Sequence, residues 1–263
     1  MPRDDRLDPD EISARLETQR IGRKVLVYDR TASTNNVAAE YAPNPDNDGL
    51  AIFAEQQTAG RGRTGATWHS DHGDSLLFSV VLTDCELTSE LLSLACAAAV
   101  ADALGQIRDT LARIKWPNDI LLDGRKVGGI LVESRQYESN RAILIGIGIN
   151  CHQSPESFPA EIRDSATSLD IAAGARCDRI TLARRLLTSL DHWLLVASQS
   201  KTQIVETWRR LSTQLGHRVT LSYNGRQFTG NCIGVDPEKG LILQLDRGGV
   251  RMFDAAHTSI VKQ

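Results

Sequence analysis

The side chains best suited to chemistry lie in one glycine-rich stretch, residues 60–70, which reads GRGRTGATWHS. It places Arg61 and Arg63 between glycines, shortly after an apolar run at 50–54. Glycine lets the backbone adopt positive φ and lie close to a ligand. Guanidinium groups offer forked hydrogen-bond donors to carboxylate or phosphate oxygens. The stretch therefore predicts a site for an anionic small molecule.

Two general nucleotide-binding motifs overlap this stretch, and neither fits it. The spacing of Gly60, Gly62 and Gly65 satisfies the dinucleotide fingerprint, but that motif needs a helix opening at its third glycine. Residues 66–73 read ATWHSDHG, which is typical of a loop. A P-loop would need a lysine where Ala66 stands. On this stretch alone, a flexible surface loop with solvated arginines remains the alternative.

A second polar group surrounds the proline of residues 115–119, KWPND. Pro117 disfavours helical geometry at Trp116, so Lys115, Asn118 and Asp119 should flank an extended bend.

A predicted hairpin follows this bend. The pair at 123–124, Asp-Gly, lies between apolar segments at 120–122 and 127–132, which is a good hairpin signal. The hairpin carries Lys126 beside Gly128 and Gly129, where missing side chains leave room for a ligand on the strand. A lysine beside a turn is usually only solvated, so a solvated and a functional lysine both remain open.

Polar side chains also follow the first predicted strand and close a later one. Ser33 or Thr34 could cap a helix, or could join Asn35 in presenting hydroxyl and amide groups to a polar ligand. Asn150 closes the apolar run 142–149, as expected of a strand buried on both faces. Its side chain could point into a site or cap the edge of the core.

The remaining pattern predicts the elements that position these residues. Strands are predicted at 24–28, 50–54, 75–82 and 142–149, and helices at 8–22, 88–104, 180–198 and 204–215. From residue 217 the chain becomes short strands separated by turns, as at 224–225 and 248–249. We predict an α+β fold with a large domain at 1–214 and a small C-terminal β-domain at 215–263.

Composition excludes several classes of protein. The net charge is −3 and the pI is about 6.1, which argues against a dominant nucleic-acid surface. The five cysteines show no CxxC spacing, so neither a disulfide framework nor a zinc site is indicated and a reducing cytoplasm is expected. No stretch is apolar enough to predict a membrane span. A metal site formed by His69, Asp71, His72 and Asp74 is less favoured than a polar loop.

The motifs GRGRTGATWHS, KWPNDI, KVGGILVES and GIGIN, in this order and at these separations, closely resemble those of biotin protein ligases. The resemblance is strong over residues 24–169 and looser for the closing β-domain. It implies a mixed sheet flanked by helices, the fold shared with class II aminoacyl-tRNA synthetases and lipoate ligases. Residues 1–214 would be the catalytic ligase domain, and residues 215–263 an SH3-like β-barrel.

The resemblance implies a cytoplasmic enzyme that uses ATP and Mg²⁺ to convert biotin to biotinyl-5′-AMP. The biotin would then pass to a lysine of a biotin carboxyl carrier protein, as in acetyl-CoA carboxylase. Because an acyl-adenylate hydrolyses readily, residues 60–70 are predicted to order over it and exclude water.

The same resemblance implies the roles of individual residues. Biotin would be bound by Ser33, Thr34, Asn35, Gln57, Gly60, Arg61, Gly62, Arg63, Lys126, Gly128 and Gly129. The nucleotide would be bound by Trp68, Lys115, Asn118, Lys126 and Asn150. Asp119 would contact magnesium, and the catalytic residues would be Lys126, Arg61 and Arg63. Adenylation needs no protein nucleophile, only groups that position two anions and neutralise charge on phosphoryl oxygens.

The sequence departs from the family pattern in two places. Many bacterial members have Arg-Gly-Arg where this chain has Thr64, Gly65 and Ala66, which puts one or two triphosphate contacts in question. Too few residues precede the first strand for the winged helix-turn-helix of some members, so we expect no DNA-binding repressor role.

Two other functions remain as alternatives. A lipoate or octanoate ligase of the same fold would need a pocket for a long aliphatic tail, whereas Gln57 and residues 33–35 favour a polar ligand. A non-catalytic biotin-binding module would not need Lys115, Asp119 and Lys126. The acceptor protein and the existence of a homodimer are left open.

Overall fold

The computed structural model of the chain describes residues 5–107, 111–138 and 140–261. Its helices are α1 (Pro9–Ser13), α2 (Thr34–Tyr41), α3 (Ser89–Gly105), α4 (Leu169–Ala173), α5 (Arg179–Gln199) and α6 (Lys201–Leu211). The first seven strands are β1 (Val25–Thr31), β2 (Ala51–Gln57), β3 (Ser75–Leu82), β4 (Arg113–Lys115), β5 (Asp119–Leu122), β6 (Arg125–Gln136) and β7 (Arg141–Asn150). The last five strands are β8 (Arg218–Tyr223), β9 (Arg226–Asp236), β10 (Gly240–Leu245), β11 (Val250–Phe253) and β12 (Thr258–Ile260).

The strands form two sheets, which confirms the predicted α+β class. A seven-stranded mixed sheet has the order β1-β2-β3-β7-β6-β5-β4, in which only β1 and β2 pair in parallel. A separate five-stranded antiparallel sheet has the order β11-β10-β9-β8-β12. This second sheet is consistent with the SH3-like module, although its closure as a barrel stays a prediction, as does the boundary at 214/215. None of the described helices has the length and apolarity to span a membrane.

Most of the predicted elements are present, and two helices differ in extent. The first helix, predicted at 8–22, ends at Ser13 because Ala14 is extended and Arg15 has a φ of 61°. The chain beyond it is held instead by Asp191, which accepts hydrogen bonds from backbone N–H groups of residues 19–21. The helix predicted at 204–215 occupies Lys201–Leu211, because Ser200 caps an earlier start.

The central strand β7 explains how the sheet provides both a core and a cavity. Side chains alternate between the faces of a strand. Odd positions such as Ile143, Ile145 and Ile147 pack into the main core, where α3 and α5 lie. Even positions begin with Ala142 and Leu144, which pack beneath α2, and continue with two glycines at 146 and 148. The even face therefore loses its side chains toward the carboxyl end of the strand.

A buried ion cluster joins the N-terminal segment to β2 and to the chain that follows β7. The Arg179 guanidinium is 3% exposed and lies 2.7 Å from Glu55 Oε2 and 3.3 Å from Asp5 Oδ2. The second Asp5 partner is His152, whose Nε2 is 2.8 Å from Asp5 Oδ2. Glu55 lies on β2 and His152 follows β7, so the cluster fixes both strands relative to residues 5–7.

The electrostatics of the cluster favour the charged forms. Burial alone would raise the pKa of Asp5, but His152 and Arg179 outweigh burial and hold that pKa well below its usual range. Burial likewise opposes protonation of His152, yet its hydrogen bonds to Asp5, Cys177 and Asp170 raise its pKa to about 10. The cluster is thus a buried network of paired charges.

We expect Arg179→Ala to lower the free energy of unfolding by about 3–5 kcal/mol, because it leaves Glu55 buried without its cationic partner and removes one of the cations that pair with Asp5. Urea denaturation at neutral pH measures this change. The matched control is Arg176→Ala: Arg176 is 51% exposed and 3.6 Å from Asp5 Oδ1, so it should cost no more than about 1 kcal/mol. Equal losses in both variants would contradict a structural role specific to Arg179.

Candidate active site

A cavity of about 270 Å³ opens on the glycine face of β6 and β7. Residues 61–68 form one wall, the bend around Pro117 forms another, and Ser259 and Ile260 reach it from the second sheet. The sequence-predicted residues that it brings together are Ser33, Thr34, Asn35, Gln57, Arg61, Gly62, Arg63, Trp68, Lys115, Asn118, Asp119, Lys126 and Gly129. Residues far apart in the sequence thus surround a single space.

Three of the predicted residues do not line this cavity. Gly60 lies against Trp68 and borders a second cavity. Gly128 packs inward, where an added Cβ would be 2.6 Å from Ile149 Cδ1. Asn150 is buried and donates to the Thr167 carbonyl at 2.9 Å. Their contacts with biotin or nucleotide stay predictions.

One end of the cavity is rich in groups that form hydrogen bonds. Ser33 occupies the N-cap position of α2, but its hydroxyl makes no capping hydrogen bond. The Thr34 backbone N–H instead donates to Gln57 Oε1 at 2.7 Å. Asn35 is only 4% exposed, and its Nδ2 donates to Glu133 Oε2 at 2.7 Å. This end can bind a compact polar group.

The floor of the cavity depends on two glycines that sequence reasoning did not assign. A Cβ on Gly146 would lie 2.6 Å from Asn35 Oδ1, and one on Gly148 would lie 2.8 Å from Trp68 Cε2. Gly129 on β6 is opposite Gly148 and supports the same indole ring. The spacing of two residues in the segment GIGIN was the available signal, since it places both glycines on one face of a strand.

The two loop arginines have different partners. Arg61 donates from Nη1 to Asn36 Oδ1 at 2.7 Å, and its Nη2 lies 3.5 Å from Glu133 Oε2. Arg63 donates from Nη2 to the Thr258 carbonyl at 3.0 Å and to the Ala255 carbonyl. Burial lowers the pKa of Arg63 below its ordinary value. Arg63 is therefore a half-buried cation whose hydrogen bonds go mainly to neutral carbonyl groups.

Lys126 and Asp119 form an ion pair inside the cavity. Lys126 Nζ contacts Asp119 Oδ1 and lies 5.9 Å from the centre of the Trp68 ring. These residues sit on the neighbouring strands β5 and β6, which the Asp123–Gly124 hairpin joins. Both turn residues have positive φ, 49° and 76°, as the predicted hairpin requires.

A second cavity, of about 260 Å³, lies beyond Trp68. Gln57, Trp68 and Gln153 line it, together with Phe158. In the described part of the chain, Trp68 Nε1 and Gln153 Oε1 are buried without a hydrogen-bond partner. A buried polar atom without a hydrogen-bond partner costs free energy, so a ligand that provides the missing partner would bind more tightly.

The polar loop residues do not form the metal site considered from sequence. Within the described ranges, the group of three metal-ligating side chains that lie close together is His152, Asp170 and Cys177. Both His152 ring nitrogens already contact carboxylates, those of Asp5 and Asp170. His72 pairs with Asp29 at 3.2 Å, which supports the polar-loop interpretation.

Comparison with known proteins agrees with this geometry. Residues 27–150 match the biotin/lipoate A/B protein ligase family. A biotin–[acetyl-CoA-carboxylase] ligase of Mycobacterium tuberculosis is 33% identical over 258 residues, which cover 93% of each chain. A bifunctional ligase/repressor, BirA of Bacillus subtilis, is 34% identical over 95% of this chain and 78% of that protein. The chain belongs to the biotin protein ligase family.

Solved structures of this family share the fold. The biotin protein ligase of Aquifex aeolicus in complex with biotin and ATP has a TM-score of 0.78 and 27% sequence identity. The superposition covers 92% of this chain and all of that one. Membership in the biotin protein ligase family and the mixed-sheet fold predicted from the motifs are therefore confirmed.

We expect Gly148→Ala to reduce ligand binding in the cavity at least tenfold, because the added methyl group displaces the Trp68 indole from the floor. Calorimetric titration of the otherwise unchanged protein with biotin would measure this loss. The control is Gly234→Ala, whose Cβ would have no neighbour closer than 3.7 Å. Unchanged affinity in Gly148→Ala would show that the indole does not depend on this contact.

Proposed function

We propose that this chain is a biotin protein ligase that condenses biotin with ATP and transfers biotin to a lysine of a biotin carboxyl carrier protein. The observation that carries the proposal is the arrangement in one cavity: a polar end at Thr34 and Asn35, and a cationic end at Lys126 and Arg63. This arrangement suits a ligand with a compact polar head and a carboxylate.

The polar end would bind the ureido ring of biotin. That ring has two N–H donors and one carbonyl acceptor, and the surrounding hydroxyl and amide groups offer both kinds of partner. The glycine floor leaves room for the fused rings, and the Trp68 indole provides an apolar surface beside them. A lipoate tail would gain nothing from the buried polar groups, so this end favours biotin over lipoate.

The cationic end would align the biotin carboxylate with the α-phosphate of ATP. Attack of the carboxylate oxygen forms the mixed anhydride and releases pyrophosphate. Lys126, Arg61 and Arg63 would hold these anions in reacting geometry and neutralise charge that grows on the phosphoryl oxygens. Lys126 would exchange its contact with Asp119 for contacts with the ligands.

The nucleotide would extend from this point along Lys115 and Asn118, and its base would lie in the second cavity beyond Trp68. Gln153 Oε1 could accept a hydrogen bond from an adenine amino group, which would satisfy that buried oxygen. Asn150 adjoins the same region, since its Oδ1 lies 3.4 Å from Gln153 Nε2. This position supports, indirectly, the nucleotide role predicted for Asn150.

Magnesium is proposed on the chemistry of one residue. Asp119 is the carboxylate among the residues that line the cavity, and Mg²⁺ typically takes one or two carboxylates together with phosphate oxygens. The donor set therefore fits the ion, provided that Lys126 moves to the ligands. When bound, Mg²⁺ would neutralise charge on the triphosphate. The predicted cytoplasmic location is in keeping with the five cysteines, which are all free thiols.

The test is ATP–pyrophosphate exchange with Mg²⁺, run in parallel with biotin, lipoate and octanoate. We expect exchange with biotin alone, followed by transfer of labelled biotin to a purified carrier domain. Exchange driven by lipoate or octanoate would move the chain to the sister ligases. Tight biotin binding without exchange would identify a binding module.

Lys126→Ala should reduce biotin-dependent exchange by about 10²-fold or more, the usual effect of deleting a donor that stabilises the transition state. The neighbouring Arg125→Ala is the matched control, because Arg125 does not line the cavity. Its exchange rate should stay within a few-fold of wild type. A Lys126→Ala rate in that same range would remove Lys126 from the mechanism.

A further inference from the structure

A chain of hydrogen bonds runs behind the polar end of the cavity and ends at a carboxylate outside it. Its members are Gln57, Thr34, Ser79, Asn35 and Glu133. Ser79 is fully buried in the middle of β3, and Glu133 lies on β6 with a side chain that is 23% exposed. Glu133 does not line the cavity, so any effect it has on a ligand acts through Asn35 or Arg61.

Glu133 determines the orientation of the Asn35 side-chain amide. The shape of an amide group allows either orientation, because its oxygen and nitrogen are nearly equal in size. A carboxylate only accepts hydrogen bonds, so the amide nitrogen must face Glu133 Oε2, at 2.7 Å. The amide oxygen then faces Ser79 Oγ, at 2.6 Å, and the cavity floor at Gly146.

The directions of the hydrogen bonds at Ser79 follow from the single proton of its hydroxyl group. The Ser79 hydroxyl lies 2.7 Å from Thr34 Oγ1 and 2.6 Å from Asn35 Oδ1, but it carries one proton. Asn35 Oδ1 has no proton, so Ser79 must donate to it. The Thr34 hydroxyl then donates to Ser79 Oγ or to Gln57 Oε1, which lies 3.1 Å away. Gln57 Oε1 still accepts the Thr34 backbone N–H. The lone pairs of Thr34 Oγ1 and Asn35 Oδ1 are thereby left to face the cavity.

We propose that Glu133 is a positioning residue that makes this end of the cavity a pair of hydrogen-bond acceptors and so selects ligands with two N–H donors. The proposal rests on the proposed function, in which the ureido ring of biotin occupies this end. It adds a residue that never touches biotin yet sets the polarity of the two groups that do.

The test compares biotin with two cyclic carbamate analogues, in each of which a ring oxygen replaces one ureido N–H. Calorimetry without ATP gives the affinity of the intact protein for each ligand. In the wild-type chain, an acceptor faces the new oxygen, so biotin should bind far more tightly than either analogue. Failure of biotin itself to bind the wild-type chain would refute the proposed function, independently of Glu133.

Glu133→Gln is the decisive variant. The glutamine amide can donate or accept, so the Asn35 amide is free to turn its nitrogen toward the cavity. The preference for biotin over the carbamate whose oxygen faces Asn35 should fall by about tenfold or more. The proposal would be overturned if the variant weakened the binding of biotin and of the carbamate by the same factor, or weakened neither. Loss of structural support alone would leave the ratio of the two affinities unchanged.

Ser79→Ala provides a second and independent result. It breaks the chain at its centre while Glu133 still orients Asn35. Selectivity against both analogues should then be kept, because Glu133 still orients the Asn35 amide and the Thr34 hydroxyl can still donate to Gln57 Oε1 at 3.1 Å. Loss of selectivity against either analogue would contradict the proposal, because it would mean that Ser79 rather than Glu133 sets the polarity of this end.

Two controls test whether Glu133 acts through its other contacts, which are with Arg135 and Arg61. Its Oε1 lies 3.3 Å from the exposed Arg135, and Arg135→Gln should leave the ligand ratio unchanged. Its Oε2 also lies 3.5 Å from Arg61 Nη2. Repeating Glu133→Gln in an Arg61→Gln background forms a double-mutant cycle. The loss of selectivity should persist there, and its disappearance would mean that Glu133 acts through Arg61.

Discussion

The packing of Trp68 on bare backbone is the constraint on which the site depends. Its indole lies where Cβ atoms of Gly129 and Gly148 would be, at 3.1 and 2.8 Å from ring atoms. Protein interiors have little spare volume for an added methyl group, so this position of the ring requires glycine at 148 and leaves a side chain at 129 in tight contact with the ring. The ring in turn places residues 61–68 over Lys126 and divides the space into two cavities.

The cations of the cavity have partners that an anionic ligand can replace. Lys126 pairs with a single aspartate, whereas Arg63 is held mainly by main-chain carbonyls, which do not neutralise its charge. Burial lowers the pKa of Arg63, which means that its charged form is destabilised there. A carboxylate or phosphate that approaches Arg63 would relieve that cost. The site thus attracts anions without a preformed anion-binding loop of the P-loop type.

Much of the site could be predicted from the sequence, because the residue types in its segments themselves indicate the local backbone geometry. The turn at Asp123–Gly124 and the segment KVGGILVES that follows it, with its lysine and paired glycines, each have a direct structural meaning. Ser79 and Glu133 were missed because neither is unusual in its own segment. Their importance comes from register: β3 pairs with β7, and β7 with β6, which brings Ser79 and Glu133 to either side of Asn35. Such long-range pairings leave no mark on a local pattern.

The second sheet belongs to the same site, and this bears on the departure at residues 64–66. Gly62 N–H donates to the Ala66 carbonyl at 2.7 Å, and a Cβ on Gly62 would lie 3.4 Å from that of Ala66. The loop therefore folds back upon itself between Gly62 and Ala66. In that conformation Arg63 reaches Ala255 and Thr258, beside the Ser259 and Ile260 that line the cavity. The boundary predicted at 214/215 lies between the two sheets, yet residues on both sides of it line one cavity. The triphosphate contacts that residues 64–66 do not supply can therefore come from residues after 215.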